Sequence, residues 1–398
     1  MMAGQSQDEG KFSAMTTLTD TTRRVELATG ALTLTSHSGP DSSELCDFAA
    51  RANPKRGFLI VSRVLGRHLP AAPSEMRAAM NALADRLPQD LPERVVFLGM
   101  AETATALAQG VFARYRRTHP GTGCLYLQTS RQAVADAPLL ASFEEGHSHA
   151  TSHLVQVADA GFAAAVREAR TLVIVDDESS TGNTFLAAAA AMAEVMPDLE
   201  RVETCCLTDW SGGRYLADMP VPAQAHSLIA GSLEWAPNPQ AVRSVLPSTS
   251  NSAGMAPATG MTSRTGLLEP EAAMRSSIDV IPGERVLVLG DGEHSYEALL
   301  IAEEIEEKGG SAAVQCITRT PALQGHAMRT VSRFDDAYGS GAPCYLYNIL
   351  EHRPERIIIA SEIAGKQAHQ ARAAVCNLGL DIPVEMIVCG YSGAGEGA

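Results

Sequence analysis

Basic charge is scarce in this chain. Its 398 residues hold 31 Lys+Arg against 46 Asp+Glu, a formal net charge of −15 at pH 7. A protein whose main work is gripping a nucleic-acid backbone needs a basic face, so that class is set aside, although a locally basic pocket is not. Long apolar runs are missing too. The longest, Phe185 to Ala193, is mostly alanine and falls well short of the roughly 20 residues a spanning helix needs. No apolar h-region stands near the N-terminus, so no secretory signal is expected. Cysteine never occurs in C-x-x-C spacing; the eight stand at positions 46, 124, 205, 206, 316, 344, 376 and 389. A chain of this length does not depend on disulfide staples, so buried thiols and a cytoplasmic location are expected. No internal repeat is present. What remains, 45% hydrophobic and 19% charged residues, is the balance of a globular protein of two or three domains.

Composition divides the chain. Residues 1–24 are polar and lack periodic apolar positions, which predicts a disordered tail. Compact structure is expected over 25–239. Between Glu234 and Glu269 no acidic residue occurs, and Leu246-Pro247-Ser248-Thr249-Ser250-Asn251-Ser252-Ala253-Gly254 leads into more Met, Thr, Ala and Gly. This predicts a flexible linker over 240–270. A second unit follows over 271–390, then a Gly-rich tail over 391–398. Both units alternate short β-branched runs with helical patterns, the mark of parallel sheets with crossover helices. Strands are expected at Val95 to Leu98, Cys124 to Gln128, Thr171 to Val175 and Arg201 to Leu207. In the second unit they are expected at Arg285 to Leu289, Ala312 to Thr318, Cys344 to Ile349, Arg356 to Ala360 and Val384 to Cys389. A helix from Ser295 to Lys308 stops at Gly309-Gly310.

The chemistry concentrates in Thr171-Leu172-Val173-Ile174-Val175-Asp176-Asp177-Glu178-Ser179-Ser180-Thr181-Gly182-Asn183-Thr184. An apolar strand runs into paired carboxylates, then small residues, then a helix. Small residues let backbone N–H groups converge at the helix N-terminus, where about half a positive charge suits a phosphate. The carboxylates before it would repel a phosphate but can accept hydrogen bonds from a diol one sugar ring away. Phosphate and vicinal diol at that separation describe a ribose 5-phosphate.

The segment resembles the ribose-phosphate signature of type I phosphoribosyltransferases. Val95-Val96-Phe97-Leu98-Gly99-Met100-Ala101-Glu102-Thr103-Ala104 stands where that family binds pyrophosphate. A narrower resemblance rests on Asn53-Pro54-Lys55-Arg56-Gly57-Phe58-Leu59-Ile60-Val61-Ser62-Arg63-Val64-Leu65-Gly66-Arg67-His68, on Ala101-Glu102-Thr103-Ala104 and on Glu144-Glu145-Gly146-His147-Ser148-His149-Ala150. These are similar to the branch associated with bacterial tellurium-resistance and stress operons, whose C-terminal domain is named for a Thr-Arg-Ser-Pro motif. Thr318-Arg319-Thr320-Pro321 stands in the matching place, and Gly290-Asp291-Gly292-Glu293 keeps a Gly-x-Gly-Glu skeleton. The resemblance implies an N-terminal phosphoribosyltransferase-like parallel sheet with helices on both faces, and a second, Rossmann-like α/β domain.

It also implies an activity: transfer from phosphoribosyl pyrophosphate, with Mg²⁺ bound mainly through the substrate, to a small-molecule, base-like acceptor in nucleotide-like metabolism. Asp176 and Asp177 would hold the ribose hydroxyls. Ser179, Ser180, Thr181, Gly182, Asn183 and Thr184 would cradle the 5-phosphate. Gly99, Ala101, Glu102 and Thr103 would sit beside pyrophosphate, with Arg131 and Glu145 also touching substrate. Lys55, Arg56, Arg63, Arg67, Arg114, Arg116 and Arg117 cluster in the same half and would focus the field for an anionic substrate. Relatives that use 6-oxopurines carry an aspartate base at the position matching Ser180; serine cannot serve, so a different acceptor is implied. The spacing Glu144-Glu145-x-His147-x-His149-x-x-x-His153 admits metal ligation, acceptor binding or a structural role, and His147 and His149 are the candidates for proton transfer. In the second unit Asp291, Glu293, Thr318 and Arg319 are ligand candidates at strand ends, against a purely structural reading. No nucleic-acid or membrane partner is expected, and a homodimer is compatible with the reading. The rival from another class is a regulator that senses phosphoribosyl pyrophosphate without transfer.

Overall fold

The computed structural model describes residues 12, 20–51, 53, 56–144, 152–241, 262–269, 278–335, 343–362, 372–373 and 375–389. The N-terminal elements are β1 (Thr21–Leu27), β2 (Gly30–Ser38), α1 (Ser42–Leu45), β3 (Cys46–Ala50), β4 (Phe58–Ser62), α2 (Pro73–Ala84), β5 (Val95–Gly99), α3 (Thr105–Thr118) and β6 (Cys124–Gln128). They continue with β7 (Leu139–Phe143), β8 (His153–Gln156), α4 (Ala160–Arg167), β9 (Thr171–Ser179), α5 (Asn183–Ala193), β10 (Arg201–Asp209) and β11 (Ala223–Pro237). The C-terminal elements are β12 (Arg285–Gly290), α6 (Tyr296–Glu307), β13 (Ser311–Cys316), β14 (Val331–Asp335), β15 (Pro343–Tyr347), β16 (Arg356–Ser361) and β17 (Val384–Val388).

Seven strands form one sheet in the order β1-β2-β11-β10-β9-β5-β6. From β11 to β6 neighbours run parallel, and β2 and β1 extend the sheet antiparallel. Every residue of β5 and β6, and the first five of β9, is buried. Successive strand residues point to opposite faces, so both faces are covered, and these segments read as unbroken apolar runs rather than alternation. The chain passes from β5 to β6 on one side and then crosses back to β9 on the other. Strand order therefore reverses between β5 and β9, and their carboxyl ends flank the crevice where doubly wound sheets bind ligands.

The second sheet, β13-β12-β16-β17, is wholly parallel and reverses between β12 and β16. It is not merely tethered to the first. The helix α6 packs on α2 and α3, and Ala71 and Val314 exchange two backbone hydrogen bonds at 2.9 Å each. The apolar cluster built on Val95, Leu107 and Val173 continues into Val286, Leu299 and Ile301 of the second unit.

Two boundaries differ from expectation. Strand β1 starts at Thr21 and Phe12 is buried in the main core, so the region expected as tail contributes structure. Residues 262–269, expected within the linker, are bound to the N-terminal sheet. Leu267 and Tyr126 exchange backbone hydrogen bonds at 2.9 Å, and Thr262, Ser263, Arg264 and Thr265 are buried. Acid-poor composition misled here because one arginine with buried partners orders the segment, as described below. The expected helix and its Gly309-Gly310 stop coincide with α6, where Gly310 donates to Ile305 at 2.9 Å.

Candidate active site

The two loops at the reversal point are held side by side by the sheet. Gly99 pairs with Val175 in register, and the next amide, Met100 N–H, donates to Val175 C=O at 2.9 Å. The turn 100–104 and the carboxylates that follow Val175 therefore leave the same edge. Gly99 has no room for a side chain, since a Cβ would lie 2.6 Å from Ala108 Cβ on α3.

Strand β9 extends further than the apolar run predicts. Asp176, Asp177, Glu178 and Ser179 are all strand residues, and Asp176 stands opposite Cys206 of β10. Ser179 is buried, and its C=O accepts from Trp210 N–H at 2.7 Å, so the exposed loop begins at Ser180 rather than at Ser179. Asp176 and Asp177 are half-buried. Asp176 Oδ1 accepts the Asp177 amide at 2.9 Å. Burial, and next the neighbouring Glu178 carboxylate, push the Asp177 carboxyl up to about 6, against the lowering pull of Asp176 and Arg56. Arg56 forms an ion pair with Glu178 and lies over Phe58, 4.7 Å from its ring centre.

The loop Ser180 to Thr184 turns at Gly182, whose φ of +82° is a left-handed conformation. A Cβ there would lie 2.1 Å from the Tyr215 ring, which wedges under the loop and fixes its hydroxyl against Thr204 at 2.6 Å. Gly182 caps α5, and the helix's first amide, Asn183 N–H, donates to Thr181 Oγ1 at 3.4 Å. Thr181 and Asn183 are exposed and Ser180 and Thr184 half-buried, so the N-terminus of an eleven-residue helix faces outward beside the two carboxylates.

The turn after β5 is held differently. Its Ala101–Glu102 peptide is cis. Ala101 N–H donates to Thr129 Oγ1 at 2.8 Å, and that hydroxyl lies 2.9 Å from His153 Nδ1. His153 is buried and stacked on Phe143 at 4.7 Å. Grouped by spacing with His147 and His149, it is instead built into the fold as a brace for the turn. Glu145, His147, His149 and Lys55 lie outside the described residues. Among the described residues, no group of three or more His, Cys, Asp or Glu side chains is placed to hold a metal ion by itself.

Glu102 does not point to open solvent. Its carboxylate meets Arg67 at 2.6 Å and Arg319 Nε at 3.2 Å, and accepts from the Thr318 hydroxyl at 3.2 Å. Burial alone would raise its pKa, but Arg67 and then Arg319 hold it well below the usual carboxylate range. The ligand candidates of the second unit are thus placed at the interface. Thr318 and Arg319 grip the turn of the first unit. Glu293, read as a ligand candidate, is 2% exposed and committed: it accepts from Ser130 Oγ and Arg131 N–H at 2.7 Å each and pairs with Arg264. Arg264 also pairs with Glu362. Asp291 is buried, with its amide bonded to Ala360 C=O at 3.2 Å. The main-chain amide of Arg131, a residue expected at the substrate, is thereby tied to the second unit. Several of the arginines expected to serve the substrate are paired with carboxylates elsewhere: Arg63 with Asp47, Arg114 with Asp85, Arg116 with Glu269.

Residues 45–232 match the family described as phosphoribosyl transferase, and residues 253–376 match the TRSP domain described as C-terminal to it. Among solved structures the chain is similar to adenine phosphoribosyltransferase from Rhodothermus marinus, at 17% identity and a TM-score of 0.32, covering 47% of this chain and 94% of that one. It is similar to the Trypanosoma brucei enzyme in complex with AMP, pyrophosphate and ribose-5-phosphate, at 14% identity and a TM-score of 0.31, covering 51% and 86%. The Giardia lamblia enzyme complexed with 9-deazaadenine is 16% identical with a TM-score of 0.31, covering 48% and 96%. No curated protein matches the chain.

Proposed function

Because the chain belongs to the phosphoribosyltransferases whose transferase domain is followed by a TRSP domain, we propose that it moves the phosphoribosyl group of phosphoribosyl pyrophosphate onto a base-like acceptor. The observation that carries this reading is the pairing of two unlike loops at one strand-order reversal. One offers adjacent carboxylates and a glycine-capped helix N-terminus; the other is a braced small-residue turn.

The reaction breaks the bond between C1 of the ribose and the pyrophosphate oxygen and forms one from C1 to the acceptor. Positive charge develops on the ring as pyrophosphate leaves with the bonding electrons. Catalysis is therefore positioning plus electrostatics. Backbone amides from Ser180 to Thr184 hold the 5-phosphate. Asp176 and Asp177 accept hydrogen bonds from the ribose hydroxyls, and their charge favours the cationic ring. The turn from Gly99 to Thr103 faces pyrophosphate. The Asp176–Asp177 pair is a hard-oxygen donor set that suits Mg²⁺ arriving with the substrate and keeping its waters. When bound, the cation neutralises charge on the leaving pyrophosphate. His147 and His149 are assigned proton transfer to or from the acceptor. Ser180 supplies no base, which directs the acceptor away from 6-oxopurines.

Pyrophosphate release from Mg²⁺ and phosphoribosyl pyrophosphate, with fractionated cell metabolites as the source of acceptor, tests the proposal. Release that depends on one fraction, and vanishes with Asp177→Asn, is the expected result. Substrate binding with no release from any fraction would favour a sensing role.

A further inference from the structure

Two walls flank the carboxylates of β9, and they come from opposite sides of the strand. On the β5 side stands the turn that carries Glu102, assigned to the leaving pyrophosphate. On the other side stands the hairpin β3–β4. Arg56, just before β4, pairs with Glu178 next to Asp177, and Phe58 packs on Trp235 of β11 at 5.1 Å. Arg23 of β1 lies over Phe48 of β3, 4.9 Å from its ring centre. The hairpin therefore covers the β10–β11 side of β9, away from β5. Displacement at C1 of the ribose brings the acceptor in opposite the departing pyrophosphate, so the acceptor enters between β9 and this hairpin.

One strip of the second domain, residues 318–328, holds both walls. At its start the Thr318 hydroxyl donates to the Glu102 carboxylate at 3.2 Å, and the Arg319 backbone N–H and Nε reach the same group at 3.4 and 3.2 Å. Further along, the strip runs antiparallel to β3. Leu323 N–H donates to Ala50 C=O at 2.9 Å and Ala327 N–H to Phe48 C=O at 3.0 Å, with a bridge between Ala322 and Arg51. Ala322, Ala327 and Met328 pack on Ala49 and Val61 of the hairpin, in one apolar cluster with Tyr347. Between the two grips the strip turns at Thr320-Pro321, and Tyr347 fixes that turn. Its hydroxyl donates to Thr320 C=O at 2.7 Å and accepts from Ala322 N–H at 2.8 Å. Thr318 Oγ1 also accepts from Thr320 N–H at 3.2 Å.

We infer that this strip sets the spacing of the two walls, and with it the approach of the acceptor to C1, with Thr318 and Tyr347 as positioning residues. The inference rests on the transferase reading above and deepens it. It gives the second domain a task in transfer, since both residues act through the turn and the hairpin they hold. Such a strut changes how often the bound reactants reach attack geometry, where a misplacement of about 1 Å costs about 10²-fold in rate. It spares the binding of phosphoribosyl pyrophosphate, because the ribose-phosphate loop and the Glu102 turn are already joined through β9 and β5.

Turnover is read as pyrophosphate release by the full chain from Mg²⁺ and phosphoribosyl pyrophosphate, with the metabolite fraction that supports wild-type release as the source of acceptor. Affinity for phosphoribosyl pyrophosphate is read by calorimetric titration. Tyr347→Phe keeps the ring and removes the hydroxyl. It should lower turnover by about 10- to 100-fold while affinity stays within about threefold of wild type. Thr318→Val should do the same, and Thr318→Ser, which keeps the hydroxyl, should turn over within about threefold of wild type. Arg77→Ala removes a bidentate pair with Glu303 that joins α2 to α6 away from the strip. It should lower the melting point and leave turnover within about twofold of wild type. Turnover near wild type in either Tyr347→Phe or Thr318→Val would overturn the inference while leaving the transferase reading intact. So would affinity falling as far as turnover, no recovery in Thr318→Ser, or an equal loss of turnover in Arg77→Ala. A wild-type chain that releases pyrophosphate with no fraction would overturn both. Should Tyr347→Phe fail to fold, the two Thr318 variants decide the matter by the same criteria.

Discussion

The molecule contains the same topological device twice, and the two copies are built differently. Between β5 and β9, and again between β12 and β16, a parallel sheet reverses its strand order and opens a crevice at its carboxyl ends. At the first crevice the polar groups are half-buried, exposed or mounted on an outward-facing helix end: Asp176, Asp177, Thr181, Asn183. At the second, Glu293 and Glu362 are spent on Arg264, and Thr318 and Arg319 reach across to Glu102. A crevice at a strand-order reversal is thus an opportunity rather than a site. What separates the two is whether the polar groups at the edge stand beside an outward-facing helix end or are buried in ion pairs that join the two units.

Substitutions can break this contrast, and the largest effect is expected at the second crevice. Arg264→Ala strands two buried carboxylates, and breaking a buried pair from one side costs about 3–5 kcal/mol. Chemical denaturation should show that loss; a change below about 1 kcal/mol would mean that this crevice is not committed to structure. Asp177→Asn should do the opposite, leaving the fold intact while lowering turnover by about 10²-fold or more, as for loss of one transition-state contact. Turnover close to wild type would remove Asp177 from the mechanism. Gly182→Ala meets both a left-handed backbone and the Tyr215 ring. A cost of about 1–3 kcal/mol is expected, with weaker ribose 5-phosphate binding, readable by thermal melting with and without that ligand.

The smallest effect is a pH signature. The Asp177 carboxyl is raised in the fold from 3.8 to about 6. A raised carboxyl stabilises the fold fully below the unfolded value, and that stability is lost as pH rises through the folded value. The contribution of Asp177 to wild-type stability should therefore decline between about pH 4 and pH 6, by an amount on the order of 2–3 kcal/mol, and level off above. Asp177→Asn should lack this decline, so that its melting point gains on wild type as pH rises through that window. Parallel curves for the two proteins would show that Asp177 is not held as a reluctant anion.

Contiguity decided what could be read from sequence. The segment 171–184 carries its strand, carboxylates, glycine and helix within one stretch, and the strands buried on both faces announce themselves as apolar runs. Its end was harder, because Asp176 to Ser179 pair with β10 although their side chains are polar. Partnerships at a distance left no local trace. Glu102 and Arg319 are 217 residues apart, and nothing in either turn identifies the other as its counter-ion. Tyr215 under Gly182, and Thr129 with His153 behind Ala101, are of the same kind. Arg264 shows the limit of composition: a stretch without acids reads as a linker, although its arginine finds its carboxylates in the second unit.

The most direct measurement is calorimetric titration of the full chain with phosphoribosyl pyrophosphate, with Mg²⁺ and then without it. Binding that requires Mg²⁺ and is competed by ribose 5-phosphate is the predicted result. No binding under either condition would mean that the carboxylates and the glycine-capped helix beside them do not form a ribose-phosphate site, and the proposed function would fall.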